Sequence, residues 1–168
     1  GMVAQGLALR HPELVKALVI ANSTSGYDEA GRAAWGARIG LVRSGGMAAV
    51  ADMAMPRWFS ETFRDANAAV VERWRRCVAA CHPEGYIASC EALQRLDTTP
   101  YLGNIRVPVL VLAGELDPGT PPAMSEVLAR GIPDVDLVVL PGASHLSVIE
   151  RPTAFADHVV RFLDRLSA

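Results

Sequence analysis

Several features are missing from this sequence, and each absence removes a class of function. No apolar run approaches the roughly 20 residues a helix needs to cross a bilayer, and Gly1 to Arg10 contains no charged segment followed by an apolar one, so it does not read as a signal peptide. There is no excess of positive charge. The formal net charge is -2, and without a basic stripe no nucleic-acid partner is expected. No GxGxxG follows a strand-like run, so no nicotinamide or flavin is implied. The cysteines Cys77, Cys81 and Cys90 lie in one stretch, with Cys77 and Cys81 one helical turn apart and His82 adjacent. Zinc sites usually present a second matching set of ligand pairs, and none exists here. The expected reading is small buried thiols on a helix face in a reducing compartment, with no metal, no cofactor and a cytoplasmic location.

What remains is an ordinary globular composition: 168 residues, 51% apolar and 20% charged. Gly1-Met2 reads either as a tag scar before an initiator methionine or as the middle of a longer reading frame. Three nearly continuous apolar runs, Ala17 to Ala21, Val107 to Ala113 and Asp136 to Leu140, are expected to be fully buried parallel strands, because they do not alternate. Helix-period segments flank them: Gly1 to Leu9, Pro121 to Arg130 with proline in its first turn, and Pro152 to Leu166 with Phe155, Val159 and Phe162 on one face. This alternation predicts an α/β fold. Between Asn22 and Tyr101 the rhythm stops. That stretch reads as helices over Gly31 to Arg43, Met47 to Met55, Ala68 to Cys81 and Glu84 to Leu96, separated by Gly45-Gly46, Pro56 and Pro83. A helical insertion between parallel strands is the pattern of a cap, and a sheet of three strands is small enough to suggest further strands upstream.

Two residues carry the chemistry. Asp117 stands four residues past the second strand, in Gly-Glu-Leu-Asp-Pro-Gly-Thr-Pro, and His145 follows the third, in Gly-Ala-Ser-His-Leu. Functional groups of open α/β sheets lie beyond the carboxyl ends of the strands, and adjacent strand ends would bring this pair together. A carboxylate bonded to one imidazole nitrogen fixes the tautomer and leaves the other nitrogen as a general base. Glu115 is the alternative acid if the turn is drawn differently. His11, His82 and His158 read as surface or helix-end residues, and Arg73, Arg75 and Arg76 as a solvated helix face.

The order acid then histidine, with a serine expected earlier, is that of the α/β-hydrolases. The opening stretch Gly-Met-Val-Ala-Gln-Gly-Leu-Ala-Leu-Arg-His-Pro-Glu-Leu-Val-Lys-Ala-Leu-Val-Ile-Ala-Asn-Ser resembles the helix and strand that follow the nucleophile elbow, GxSxGG, in that superfamily. On this resemblance Gly1 is the last glycine of the elbow, and the serine lies three residues before it. No GxSxG occurs within the chain: Ser44 lacks the upstream glycine and Ser144 the downstream one. Three further segments are similar to the 3-oxoadipate enol-lactonases: Gly46-Met47-Ala48-Ala49-Val50-Ala51 to Pro56-Arg57-Trp58-Phe59, Glu84-Gly85-Tyr86 to Ser89-Cys90-Glu91-Ala92, and His145-Leu146-Ser147-Val148-Ile149-Glu150.

The resemblance implies the C-terminal portion of an α/β-hydrolase, divided into core residues 1–22, a helical cap over 23–99 and core residues 100–168. It implies a triad containing Asp117 and His145, acting on a small ester or a carboxylated enol-lactone, with no cofactor. Arg57, with Trp58 beside it, is the candidate for binding the substrate carboxylate, since a guanidinium can take a carboxylate bidentately. Other esterases, C–C bond hydrolases and a non-catalytic ligand-binding relic are the alternatives. Without the serine, the chain alone is expected to be inactive. The edge of its first strand is expected to pair with an upstream fragment or to drive self-association.

Overall fold

The computed structural model describes residues Gly1–Ser167. The chain forms two compact units, one made of Gly1–Ser25 with Thr98–Ala168 and the other of Gly26–Asp97. The first unit holds a parallel sheet in the order β1-β2-β3, with β1 spanning Leu18–Ala21, β2 Val109–Gly114 and β3 Val135–Leu140. Helix α1 (Met2–Arg10) precedes β1. In the second unit lie α2 (Glu29–Trp58), α3 (Glu61–Ala66), α4 (Ala68–Ala79) and α5 (Pro83–Arg95). Back in the first unit, α6 (Pro122–Gly131) links β2 to β3, and α7 (Ser147–Glu150) and α8 (Pro152–Ser167) follow.

The sheet sorts its side chains with the period of two that a pleated strand imposes. Val109 and Val111 join Ala8, Leu18, Ile20, Leu128 and Ile132 on one face, whereas Leu110 and Leu112 pack with Phe162, Phe155 and Val159 of α8 on the other. Helices therefore cover both faces, as a parallel sheet requires. Proline occupies the first turn of α6 and of α8, where a missing N–H costs nothing.

The expectation of three fully buried strands holds only for β2, the central one, in which every residue is buried. In β1 buried and half-buried positions alternate, and β3 is half-buried along most of its length, with Val139 39% exposed. An apolar run marks a strand, but burial on both faces depends on its place in the sheet. The cysteines also depart from expectation: Cys90 is buried, whereas Cys77 and Cys81 are exposed, because the apolar face of α4 is carried by Val78.

In the helical unit, α2 turns at Gly46, whose φ of 67° and ψ of -172° interrupt the helical geometry between two stretches. Pro56 does not end the helix, which runs on to Trp58. The proline removes the N–H that would have met the carbonyl of Asp52, a residue on the exposed face of the helix. The sequence reading also passed over α3, which is capped by Ser60 accepting from the Phe63 N–H at 3.3 Å and held by Phe59 stacked on Phe63 at 5.3 Å. Within this unit, Ile39, Val42, Val50, Ala51, Ala54, Phe59, Val78, Ile87 and Cys90 are buried. Arg75 bonds Glu72 at 2.7 Å and Asp52 at 3.3 Å on the exposed face.

Candidate active site

Asp117 and His145 meet beyond the carboxyl ends of β2 and β3, with His145 Nδ1 2.7 Å from Asp117 Oδ2. After Gly114 the chain turns sharply, the Asp117 N–H bonding the Gly114 carbonyl at 3.2 Å. Asp117 Oδ1 then accepts from the N–H groups of Gly119 at 2.7 Å and Thr120 at 3.0 Å, an Asx-type turn that closes on its own carboxylate. Oδ2 accepts from Thr120 Oγ1 at 2.7 Å and from Asn22 Nδ2 at 3.2 Å as well as from His145. The side chain is thus saturated with donors although the residue is only 2% exposed.

Burial pushes the Asp117 carboxyl up, but the hydrogen bond and charge of His145, joined by the Thr120 donors, outweigh it and hold the group below its ordinary value. Asp117 is therefore a carboxylate at neutral pH and can only accept. His145 Nδ1 must carry the proton it shares with Asp117, which leaves the lone pair on Nε2. The imidazole is partly exposed, its side chain retaining 29% of its accessible surface. A fixed tautomer with a buried anion behind it is the arrangement that general-base chemistry uses.

The turn that carries His145 is built with equal constraint. Gly142 has a φ of 63°, a left-handed conformation that a side chain would strain. Its N–H donates to Glu115 Oε2 at 2.8 Å. Glu115, the alternative acid, is exposed and bonded to the Gly142 N–H, and the imidazole bonds Asp117 instead. Ser144 N–H donates to the buried Glu150 Oε2, and Ser144 Oγ donates to the Leu116 carbonyl at 3.4 Å. A Cβ on Gly114 would collide with the Ser144 carbonyl and come within 2.7 Å of that of Ala143, so only glycine lets the His145 turn lie against the end of β2.

Sequence reasoning did not single out Thr120, Asn22 or Glu150. Thr120 lay in the quoted motif, and its hydroxyl three residues past an aspartate was the available signal. Asn22 acts across 95 residues and leaves no local mark, whereas Glu150 lies only six residues past Ser144. Arg57 and Trp58 end α2 in the helical unit, both half-buried.

A parallel sheet with helices on both faces and an aspartate–histidine pair beyond its strand ends defines a hydrolase-like class, and the chain belongs to the alpha/beta hydrolase family, whose model matches residues 1–158. It is 38% identical over 167 residues to 3-oxoadipate enol-lactonase 2 of Acinetobacter baylyi, a match covering 99% of this chain and 61% of that protein. The crystal structure of the enol-lactonase from Burkholderia xenovorans superposes with a TM-score of 0.92 at 33% identity, covering 97% of this chain and 62% of that one. A thermophilic esterase from Thermogutta terrifontis, solved with malate bound, gives a TM-score of 0.89 at 26% identity, covering 99% of this chain and 62% of its own. The chain therefore spans about three fifths of the length of these relatives.

Proposed function

We propose that this chain supplies the acid and the base, Asp117 and His145, of a serine hydrolase that opens a carboxylated enol-lactone in the manner of a 3-oxoadipate enol-lactonase. The observation that carries the reading is the 2.7 Å bond between His145 Nδ1 and a buried, donor-saturated Asp117 carboxylate. In this reading the serine of the GxSxGG pattern falls three residues ahead of Gly1. His145 Nε2 takes the proton from that hydroxyl as its oxygen attacks the lactone carbonyl, and Asp117 supports the imidazolium that forms. Collapse of the tetrahedral intermediate breaks the ring C–O bond, and His145 returns the proton to the departing enol oxygen. Water, deprotonated by the same nitrogen, then releases the acid from the serine. Arg57 is proposed to bind the substrate carboxylate, with Trp58 beside it. We also propose that the free edge of β1 pairs with an upstream strand or with a second copy.

The experiment is a comparison of the 168-residue chain with the reading frame extended upstream through its elbow, each with and without His145→Ala. The chain alone is expected to open no lactone above the His145→Ala background. The extended protein should open carboxylated enol-lactones, and His145→Ala should cost several orders of magnitude in rate. Turnover by the chain alone, abolished by His145→Ala, would overturn the assignment of the nucleophile. A preference for neutral esters would replace the lactonase reading with a general esterase, the activity named for the Thermogutta terrifontis relative.

A further inference from the structure

Asn22 lies one residue past β1 and has a φ of 45°, the sole positive value at a non-glycine position among the described residues. Its N–H donates to the Leu112 carbonyl of β2 at 2.8 Å, which pins its backbone to the central strand. Its side chain reaches both halves of the acid–base pair: Nδ2 is 3.2 Å from Asp117 Oδ2 and 3.3 Å from the Ser144 carbonyl, in the residue next to His145. A carboxylate and a carbonyl can only accept, so the amide nitrogen must face them. The other end is fixed by Ser147 Oγ, which donates to Asn22 Oδ1. The amide thus cannot flip without setting its oxygen against two acceptors.

We infer that Asn22 is a positioning residue, which fixes the direction of Asp117 Oδ2 and the seat of the His145 turn with one amide, an inference that rests on reading that pair as acid and base. The neutral amide suits the place. A carboxylate there would repel Asp117, and a cation would neutralise the charge that supports the imidazolium, whereas an amide orients Oδ2 and leaves its charge in place. The Asn22 bond at 3.2 Å is longer than the 2.7 Å bonds that Oδ2 makes with His145 and Thr120.

The test uses the 168-residue chain with 15N-labelled histidine, the His145 signals being assigned by their loss in His145→Ala. In the wild type, the neutral ring should hold its proton on Nδ1 and exchange it slowly. Glycine tolerates a positive φ, so Asn22→Gly deletes the amide without adding backbone strain. It should speed exchange of the Nδ1 proton by about fivefold or more, the factor that one net hydrogen bond is worth, and populate the other tautomer. Asn22→Asp, which fits the backbone but replaces the donor with a charge, should not restore the wild-type signals. If Asn22→Gly keeps wild-type exchange and tautomer while melting at a lower temperature, Asn22 is merely structural and the inference falls. Asp117→Asn separates the two levels. If it leaves the His145 signals unchanged, the acid–base reading itself fails and takes the inference with it. If it changes them while Asn22→Gly does not, only the inference fails.

Discussion

In the α/β unit a set of polar groups is buried and tied together across long stretches of chain, whereas the ion pairs of the helical unit lie at its surface. Gln5 is fully buried, donates to the Thr24 carbonyl at 3.1 Å and accepts from Thr98 Oγ1 at 2.7 Å, and Asp117 and Asn22 are bonded across comparable lengths of chain. The helical unit instead places Arg75 between Glu72 and Asp52 on its surface. The first arrangement is costly to disturb, because any lost partner leaves an unsatisfied buried group. The second is forgiving, because water replaces what is removed.

The comparison can be tested at several strengths. Leu112→Ala, at a fully buried position of β2, should cost the most, about 3 kcal/mol in urea unfolding followed by circular dichroism. All of the tryptophans, Trp35, Trp58 and Trp74, lie in the helical unit, so their fluorescence reports on that unit separately. Gln5→Leu should cost about 2 kcal/mol by the same measurement, since it removes the buried donor to the Thr24 carbonyl and leaves the Thr98 hydroxyl only the Ser25 carbonyl to bond. A cost near zero would break the contrast.

Acid should find the α/β unit first. Asp117 is held below its ordinary 3.8, so its contribution is complete above that pH and is lost as pH falls through the lower, folded value. Circular-dichroism melts should hold steady down to about pH 4 and then fall, with a shallower fall in Asp117→Asn. Ser60→Ala should cost about 1 kcal/mol, the usual worth of a helix cap, and be visible in tryptophan fluorescence. Glu72→Ala, on the exposed face of α4, should leave the urea midpoint within error.

The strands and the meeting of Asp117 with His145 were legible because their signals are local and strong. An apolar run followed by Asp117 or His145 places each residue at a strand end, and parallel strands put those ends on one side. The burial of β3 was not legible, because it depends on having a neighbour on one side only. Gln5 and Asn22 were not legible either: their partners lie 93 and 95 residues away, and nothing near them in the chain announces the contact. In the helical unit the break at Gly46 could be read from its glycine pair. The passage of α2 through Pro56 could not, since a proline inside a helical pattern ordinarily ends it.

Gly114 has a consequence for anyone who would redesign this fold. It acts as a shim one hydrogen atom thick, bringing the end of β2 against the carbonyls of Ala143 and Ser144. Those oxygens belong to the main chain and cannot rotate aside as a side chain can. The seat of the His145 turn at the end of β2 is therefore inherited from the backbone, and the side-chain bonds of the pair are built on it. Side chains that do not bond the pair are open to change, provided position 114 stays empty and Asn22 and Thr120 are kept.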